Sequence, residues 1–350
     1  MTTIKKLFHD AVPDYIIAIH RHIEHKGFAV FIVGGALRDL LMNRCPTEYD
    51  LATSATPHQI MALFDTVIPT GIDFGTVTIG YQGHMVEITT FRSESGYTDY
   101  RHPDQVAFVG TIDADLSRRD FTMNAMAYNP LSGDWIDPFD GQTHIQNRQL
   151  VCVGDPKKRL AEDTLRVFRA FRFMAQLGVV LDDPLCAALS EMTDAPLPNG
   201  DRMRHELNRL LLGPFWESGV HALHQWGWGK PFGLTWATPP SQLPQTLDYR
   251  WAWFISQCDW DRILQHLPFS HQHRRRFRHI IAWNFNPTAI EFTRNDVALS
   301  ANDLQAMGFY GPALGQLQKA ILHAIRSNQL TNSVEAIRAF VIKSRPTSED

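Results

Sequence analysis

The sequence predicts an α+β protein, with an α/β head up to about residue 150 and an all-helical remainder. Three stretches predict it. "FAVFIVGG" (Phe28 to Gly35) is a short apolar run closed by a glycine pair, the pattern of a buried strand and a tight turn. "GTVTIGYQGHMVEITTFR" (Gly75 to Arg92) sets β-branched runs on either side of Gln82-Gly83, as a hairpin requires. After residue 150 helical spacing takes over, and "KKRLAEDTLRVFRAFRFMAQLG" predicts one long helix from Lys157 that stops at Gly178.

The other elements follow in order. Residues 3–27 read as one or two amphipathic helices closing at Gly27. "ALRDLLMN" has helical spacing and "EYDLAT" is strand-like. "TPHQIMALF" begins a helix with Thr56 as N-cap and Pro57 in the first turn. "DPLCAALSEM" and "DRMRHELNRLLLG" are further helices. Residues 214–300 are rich in Trp, Phe and Pro and contain "HQHRRRFRH", and the end is helical again. The division this predicts is a head over 1–150, helices over 151–213 and a helical body over 214–350.

Composition narrows the class. A chain of 350 residues, 44% hydrophobic, has enough apolar material for a sizeable core. Lys and Arg number 33 against 37 Asp and Glu, so no global affinity for nucleic acid is advertised, although a local basic face is compatible with it. Cys45, Cys152, Cys186 and Cys258 lie far apart, with no metal-binding spacing, and read as reduced thiols. "MTTIKKLFHDAVPDYI" is not a signal peptide, and no apolar run is long enough to span a bilayer. A cytoplasmic protein without a membrane partner is expected, and its oligomeric state is left open.

Several segments carry chemistry. In "GGALRD", Gly34 and Gly35 let the backbone approach a ligand, the helix start favours an anion, and Arg38 adds a charged donor; a plain turn is the alternative. Glu48 and Asp50, two apart on a strand, share a face, and such carboxylates can bridge magnesium ions. Glu87 would bring a third carboxylate from a neighbouring strand. Paired acids on a solvated strand give the same pattern. In "RRDFTMNAMAY", Asp120 would cap a helix and Arg119 would reach a triphosphate. Asp163 and Arg166 stand three apart on the long helix. A carboxylate accepts from the amino group of cytosine or adenine while Arg donates to a ring acceptor. Arg169 flanks that face, and Arg172 lies about half a turn from Asp163. A salt-bridged helix is the alternative. Arg274, Arg275 and Arg276 would meet an RNA backbone or form a solvated basic face.

Taken together, these segments resemble the class II tRNA nucleotidyltransferase and bacterial poly(A) polymerase family. "GGALRDLL" with "EYDLATSATP", "VEITTFR", "RRDFTMNAMA" and "EDTLRVFRAFRFMAQLG" match in order, and "DRMRHELNRLL" resembles the next helical motif. "LSANDLQAMGFYGPALGQLQKAIL" resembles the C-terminal segment of CCA-adding enzymes. The resemblance is strong over about 28–212 and looser at 299–343; 214–298 match no motif.

The resemblance implies a nucleotidyltransferase head followed by a helical neck, body and tail arranged like a seahorse. It implies that Gly35 and Arg38 bind phosphates and that positions 48 and 50 hold Mg²⁺. Asp163 and Arg166 would select CTP and ATP, with Arg119, Arg169 and Arg172 completing the pocket. "RSESGYTDYRHPDQV" resembles the mobile loop that CCA-adding members need for the last A. The implied reaction is template-independent addition or repair of the tRNA 3′-terminal CCA. Poly(A) polymerase and a CC- or A-adding partial enzyme are the alternatives of the same class. One departure stands out: Glu48 replaces the family's Asp. A catalytically impaired tRNA-binding protein is the alternative that this departure raises.

Overall fold

The structure is a computed structural model and describes residues 8, 11–95, 105–241, 243–286, 297–327 and 329–343. Helix α1 (Asp14–His25) starts after Pro13 and buries Ile16, Ile19, His20 and Ile23; Gly27 follows with φ +85°. Strand β1 (Val30–Val33) leads through Gly34 into α2 (Gly35–Leu41), and β2 (Asp50–Thr53) leads into α3 (Pro57–Leu63). Thr56 and Gln59 form a reciprocal capping box at the start of α3.

Next come β3 (Val67–Gly71), β4 (Thr76–Tyr81) and β5 (His84–Thr90). Gln82 and Gly83, both at positive φ, make the two-residue turn between β4 and β5. Strands β6 (Arg92–Ser95) and β7 (Gln105–Phe108) pair antiparallel, while 96–104, the middle of the loop-like segment, lie outside the described residues. Helix α4 (Ile112–Ser117) and the short strands β8 (Ala127–Tyr128) and β9 (Trp135–Ile136) complete the head. Its seven-stranded sheet has the order β3-β4-β5-β2-β1-β8-β9, with the one parallel pair, β2 and β5, at its centre. Val33, Ala52, Phe91, Leu116, Ala125, Ala127 and Val153 form a core that holds the head together.

Beyond α5 (Gly141–Gln146) and β10 (Gln149–Leu150) the regular elements among the described residues are helices apart from β11 (Val180–Leu181), which pairs with β10. The helices of this stretch are α6 (Pro156–Glu162), α7 (Leu165–Leu177), α8 (Asp183–Glu191), α9 (Gly200–Leu211) and α10 (Trp216–Gln225). Helix α7 buries Val167, Phe168, Ala170 and Phe171 and packs against α9 and α10.

Three local expectations are corrected. The single helix from Lys157 to Gly178 is two helices, because Asp163 is extended (φ −145°, ψ 108°) and its side chain takes the Leu165 N–H at 3.0 Å. A short acid that bonds the backbone two residues on competes with the helical ladder. Strand β2 begins at Asp50, so Glu48 precedes it rather than sharing it. Asp120 caps no α-helix; its carboxylate accepts from Phe121 N–H and Asn124 ahead of a single 3₁₀ turn, Thr122–Asn124.

The chain divides into two units, Met1–Gly229 and Lys230–Asp350. The second contains α11 (Leu247–Ser256), α12 (Trp260–His266), α13 (His271–Ala282), α14 (Ala301–Ala306), α15 (Gly311–Arg326) and α16 (Val334–Lys343). Trp251, Phe254, Phe269 and Phe277 pack edge to face inside it. Among the described residues no helix is long and apolar enough to cross a membrane.

Candidate active site

The first unit encloses a cavity of about 890 Å³. Gly34, Gly35, Arg38, Glu48, Asp50, Glu87, Arg119, Asp163, Arg166, Arg169 and Arg172 all line it. Every head and neck residue singled out from the sequence is therefore brought to one space. Arg274, Arg275 and Arg276 are elsewhere, on α13 of the second unit.

The carboxylate side is set by the sheet. Leu51 of β2 pairs with Ile88 of β5 in parallel, which puts Asp50 beside Glu87 at the same level. Burial raises the pKa of Asp50; Arg119 and Arg38 oppose the rise and Glu48 adds to it. Burial likewise raises Glu87, with Asp50 and then Glu48 adding to the effect. Acids that raise one another's pKa have excess negative charge that a cation relieves. Among the described residues no three His, Cys, Asp or Glu form a ready-made cage for a metal ion.

The glycine turn brings cation and anion together. Gly34 has φ +72°, and a Cβ there would meet Arg119 Nη1 at 3.2 Å and Asp50 Oδ2 at 3.8 Å. A side chain at this point would fill the space between them. Gly35 leaves similar room beside Arg38, whose Nη2 a Cβ would meet at 3.5 Å. Arg38 donates to Asp39 Oδ1 at 2.8 and 2.9 Å and to Asn124 Oδ1 at 2.9 Å. Arg119 is held by the buried Asp115 at 3.0 Å, and Asp115 also holds Arg118 at 2.8 Å. Burial acts to raise the Asp115 pKa, but the two guanidiniums outweigh it and hold the carboxyl below its usual range.

The far side is a chain of ion pairs. Asn124 donates to Asp120 at 3.1 Å, and Asp120 pairs with Arg169 at 2.6 Å. Arg169 also faces Glu206 at 3.8 Å, and Glu206 pairs with Arg172 at 2.5 Å. Burial acts to raise Asp120, but Arg169 and Asn124 bring it far below the carboxylate range. Burial pulls Arg172 down to about 10 against the attraction of Glu206. The guanidiniums of Arg38, Arg169 and Arg172 all lie over the Phe173 ring, Arg172 at 4.0 Å. Asp163 receives Arg202 at 2.8 Å, while Arg166 pairs with Glu162 and donates to the Arg159 carbonyl at 2.6 Å. Asp163 and Arg166 are thus neighbours across a helix start, each with its own partner.

Asp115, Asn124, Phe173, Arg202 and Glu206 were not singled out from the sequence. Asn124, a polar residue inside the apolar run "FTMNAMAY" and four after Asp120, was the one legible signal. Glu206 is hidden by its charged helix, where an acid reads as solvated although this one is buried.

A Gly-Gly helix entry, carboxylates on adjacent central strands and a wall of arginines define a nucleotidyltransferase-type head. Comparison with known proteins agrees. Residues 30–151 match the poly A polymerase head domain. The chain is 45% identical over 214 residues to a CCA-adding enzyme of Geobacillus sp. (strain WCH70), covering 60% of this chain and 52% of that one. It is 39% identical over 267 residues to the CCA-adding enzyme of Leuconostoc citreum (strain KM20), covering 73% and 65%. The chain thus spans less than two thirds of the length of these curated relatives. The fold matches that of the Bacillus stearothermophilus CCA-adding enzyme in complex with CTP (TM-score 0.66, 24% identity, 94% of this chain and 96% of that one). It also matches the Thermotoga maritima CCA-adding enzyme complexed with tRNA (TM-score 0.69, 16% identity, 98% of each chain).

Proposed function

We propose that this chain adds or repairs the 3′-terminal CCA of tRNA, using CTP and ATP without a nucleic-acid template. The observation that carries the reading is that one cavity is lined by the glycine turn and Arg38, by Glu48, Asp50 and Glu87, and by Asp163 and Arg166. Relatives that are CCA-adding enzymes, one with CTP in its structure and another with tRNA, support it. Residues 1–150 act as the catalytic head, 151–213 carry the base-recognition helices, and 214–350 hold the RNA.

The geometry supports the following roles. Gly34, Gly35, Arg38 and Arg119 bind the triphosphate. Asp163 accepts from the base's amino group and Arg166 donates to its ring acceptor. Asp120 and Glu206 hold Arg169 and Arg172 against the pocket wall. Glu48 and Asp50 would hold Mg²⁺, which would neutralise developing phosphate charge and lower the pKa of the attacking hydroxyl. Glu87 receives the proton of the RNA 3′-hydroxyl. The hydroxyl oxygen bonds to the α-phosphorus, the bond from that phosphorus to the β-bridging oxygen breaks, and pyrophosphate leaves. The reading includes a reducing, cytoplasmic setting, in keeping with four free cysteines.

The test is incorporation of labelled CTP and ATP, singly and together, onto tRNA lacking its 3′ CCA, with Mg²⁺. Two C followed by one A, and then a stop, is the expected product. Long A tracts would move the assignment to poly(A) polymerase. Binding of tRNA with no incorporation would leave an impaired tRNA-binding protein.

A further inference from the structure

Next to the carboxylates the cavity has a hydroxyl-bearing part that the proposed function does not use. Thr76 of β4 and Thr89 of β5 are directly paired in register, and both line the cavity. Their Oγ1 atoms lie 3.1 Å apart in a half-buried setting. Glu87 is two residues before Thr89 on β5, so the two side chains leave the same face of the sheet. Glu87 is paired with Thr78, which makes Thr76 its diagonal neighbour. The hydroxyl pair is therefore next in line along the strand from the carboxylate assigned to the 3′-hydroxyl proton.

Hydroxyl chemistry decides what such a pair can bind. Each threonine has one O–H donor and two acceptor lone pairs. When one hydroxyl donates to the other, the pair retains one unspent O–H and three lone pairs. It can thus donate to, and accept from, one further hydroxyl, and it brings no charge that would favour a phosphate. A ribose whose 3′-hydroxyl meets Glu87 carries its 2′-hydroxyl on the adjacent carbon. That group is both donor and acceptor, and it distinguishes RNA from DNA. A second threonine pair on the same sheet, Thr70 and Thr78 with Oγ1 atoms 3.0 Å apart, is outside the cavity lining and supplies an internal comparison.

We infer that Thr76 and Thr89 form the subsite for the terminal ribose of the RNA primer and read its 2′-hydroxyl. The inference rests on the nucleotidyl-transfer reading of the cavity. Thr→Val keeps the β-branch and the volume but removes the hydroxyl, so the strands remain well suited to their pairing.

The experiment compares ATP addition to a tRNA ending in CC, with either a ribose or a 2′-deoxyribose at its last nucleotide. It uses the full chain, Thr76→Val, Thr89→Val and Thr70→Val, and it includes CTP against 2′-deoxy-CTP on a tRNA lacking CCA. The unaltered chain should prefer the ribose end about tenfold in kcat/KM. Each cavity variant should bring that ratio towards one through the ribose-ended primer, with the KM for ATP unchanged, while Thr70→Val retains the preference. An unchanged ratio in both cavity variants overturns the inference and leaves the transferase reading standing. So does loss of discrimination against 2′-deoxy-CTP instead, which would assign the pair to the incoming nucleotide. No incorporation onto any primer overturns both.

Discussion

On the proposed function, Asp50 and Glu48 separate a working transferase from a disabled one. Asp50 faces Arg119 across Gly34 and stands beside Glu87. On that reading Asp50→Asn removes a charge that acts at the reacting phosphate, and nucleotide incorporation should fall about 100-fold or more, a few kcal/mol of barrier. Glu48 lies outside the strand, where the backbone is free to absorb one extra methylene. Glu48→Asp should therefore leave incorporation within about tenfold of the original chain, whereas Glu48→Gln should lower it like Asp50→Asn. A Glu48→Asp variant that restores activity to an inert parent would show that the glutamate is disabling. Both acids were legible in the sequence because they stand two apart at a strand-like segment, although only Asp50 lies on the strand itself. Their partner across the turn, Arg119, was legible only as a cation, since its approach to Gly34 is a tertiary event.

At the scale of elements, the helix that was misjudged is also the one that explains the site. Nothing in the helical spacing from Lys157 to Gly178 betrays the break at Asp163, because a side chain bonding its own backbone leaves the apolar period intact. What α9 does was equally hidden. Arg202 and Glu206, one turn apart, hold Asp163 on one side and Arg169 with Arg172 on the other. Glu206→Ala would leave Arg172 buried without its carboxylate and should cost about 3–5 kcal/mol in urea unfolding. Asp201→Ala on the same helix breaks only an exposed pair and should cost less than about 1 kcal/mol. Helix α1 contributes a pH dependence. His20 is fully buried, its Nδ1 is bonded to the Ile16 carbonyl at 3.0 Å, and burial lowers its pKa from 6.5 to about 4. Its folded value is depressed, so the unfolded chain binds the proton first as the medium is acidified. The stability held above pH 6.5 is lost progressively down to pH 4, by about 3 kcal/mol in all. Urea midpoints across this range should fall steeply in the original chain and less in His20→Leu.

For the whole molecule, the head was more legible than the helical second unit, for a physical reason. Strands, turns and caps are local signals, whereas α11 to α13 are held by aromatic contacts between different elements, such as Trp251 with Phe269, and α14 to α16 by an aliphatic cluster that includes Leu304, Leu317, Ile321 and Ile337. Within that unit the basic stretch on α13 is not uniform. Arg274 donates to the Phe269 carbonyl at 2.9 Å, so part of its hydrogen-bonding capacity serves the fold. Arg276 lies 3.6 Å from Asp248, which offsets its charge. Arg275 is exposed, with no ion pair among the described residues. If this unit holds tRNA through its backbone, the three arginines should contribute in the order Arg275, Arg276, Arg274. Removing one cation from a phosphate should reduce the slope of log K against log salt by about 0.7–0.9. Arg275→Ala should weaken tRNA binding and flatten that slope by about this amount, while Arg274→Ala should act mainly on thermal stability. Equal binding losses for all three variants, or none with Arg275→Ala, would place the RNA-binding face on another surface of the chain.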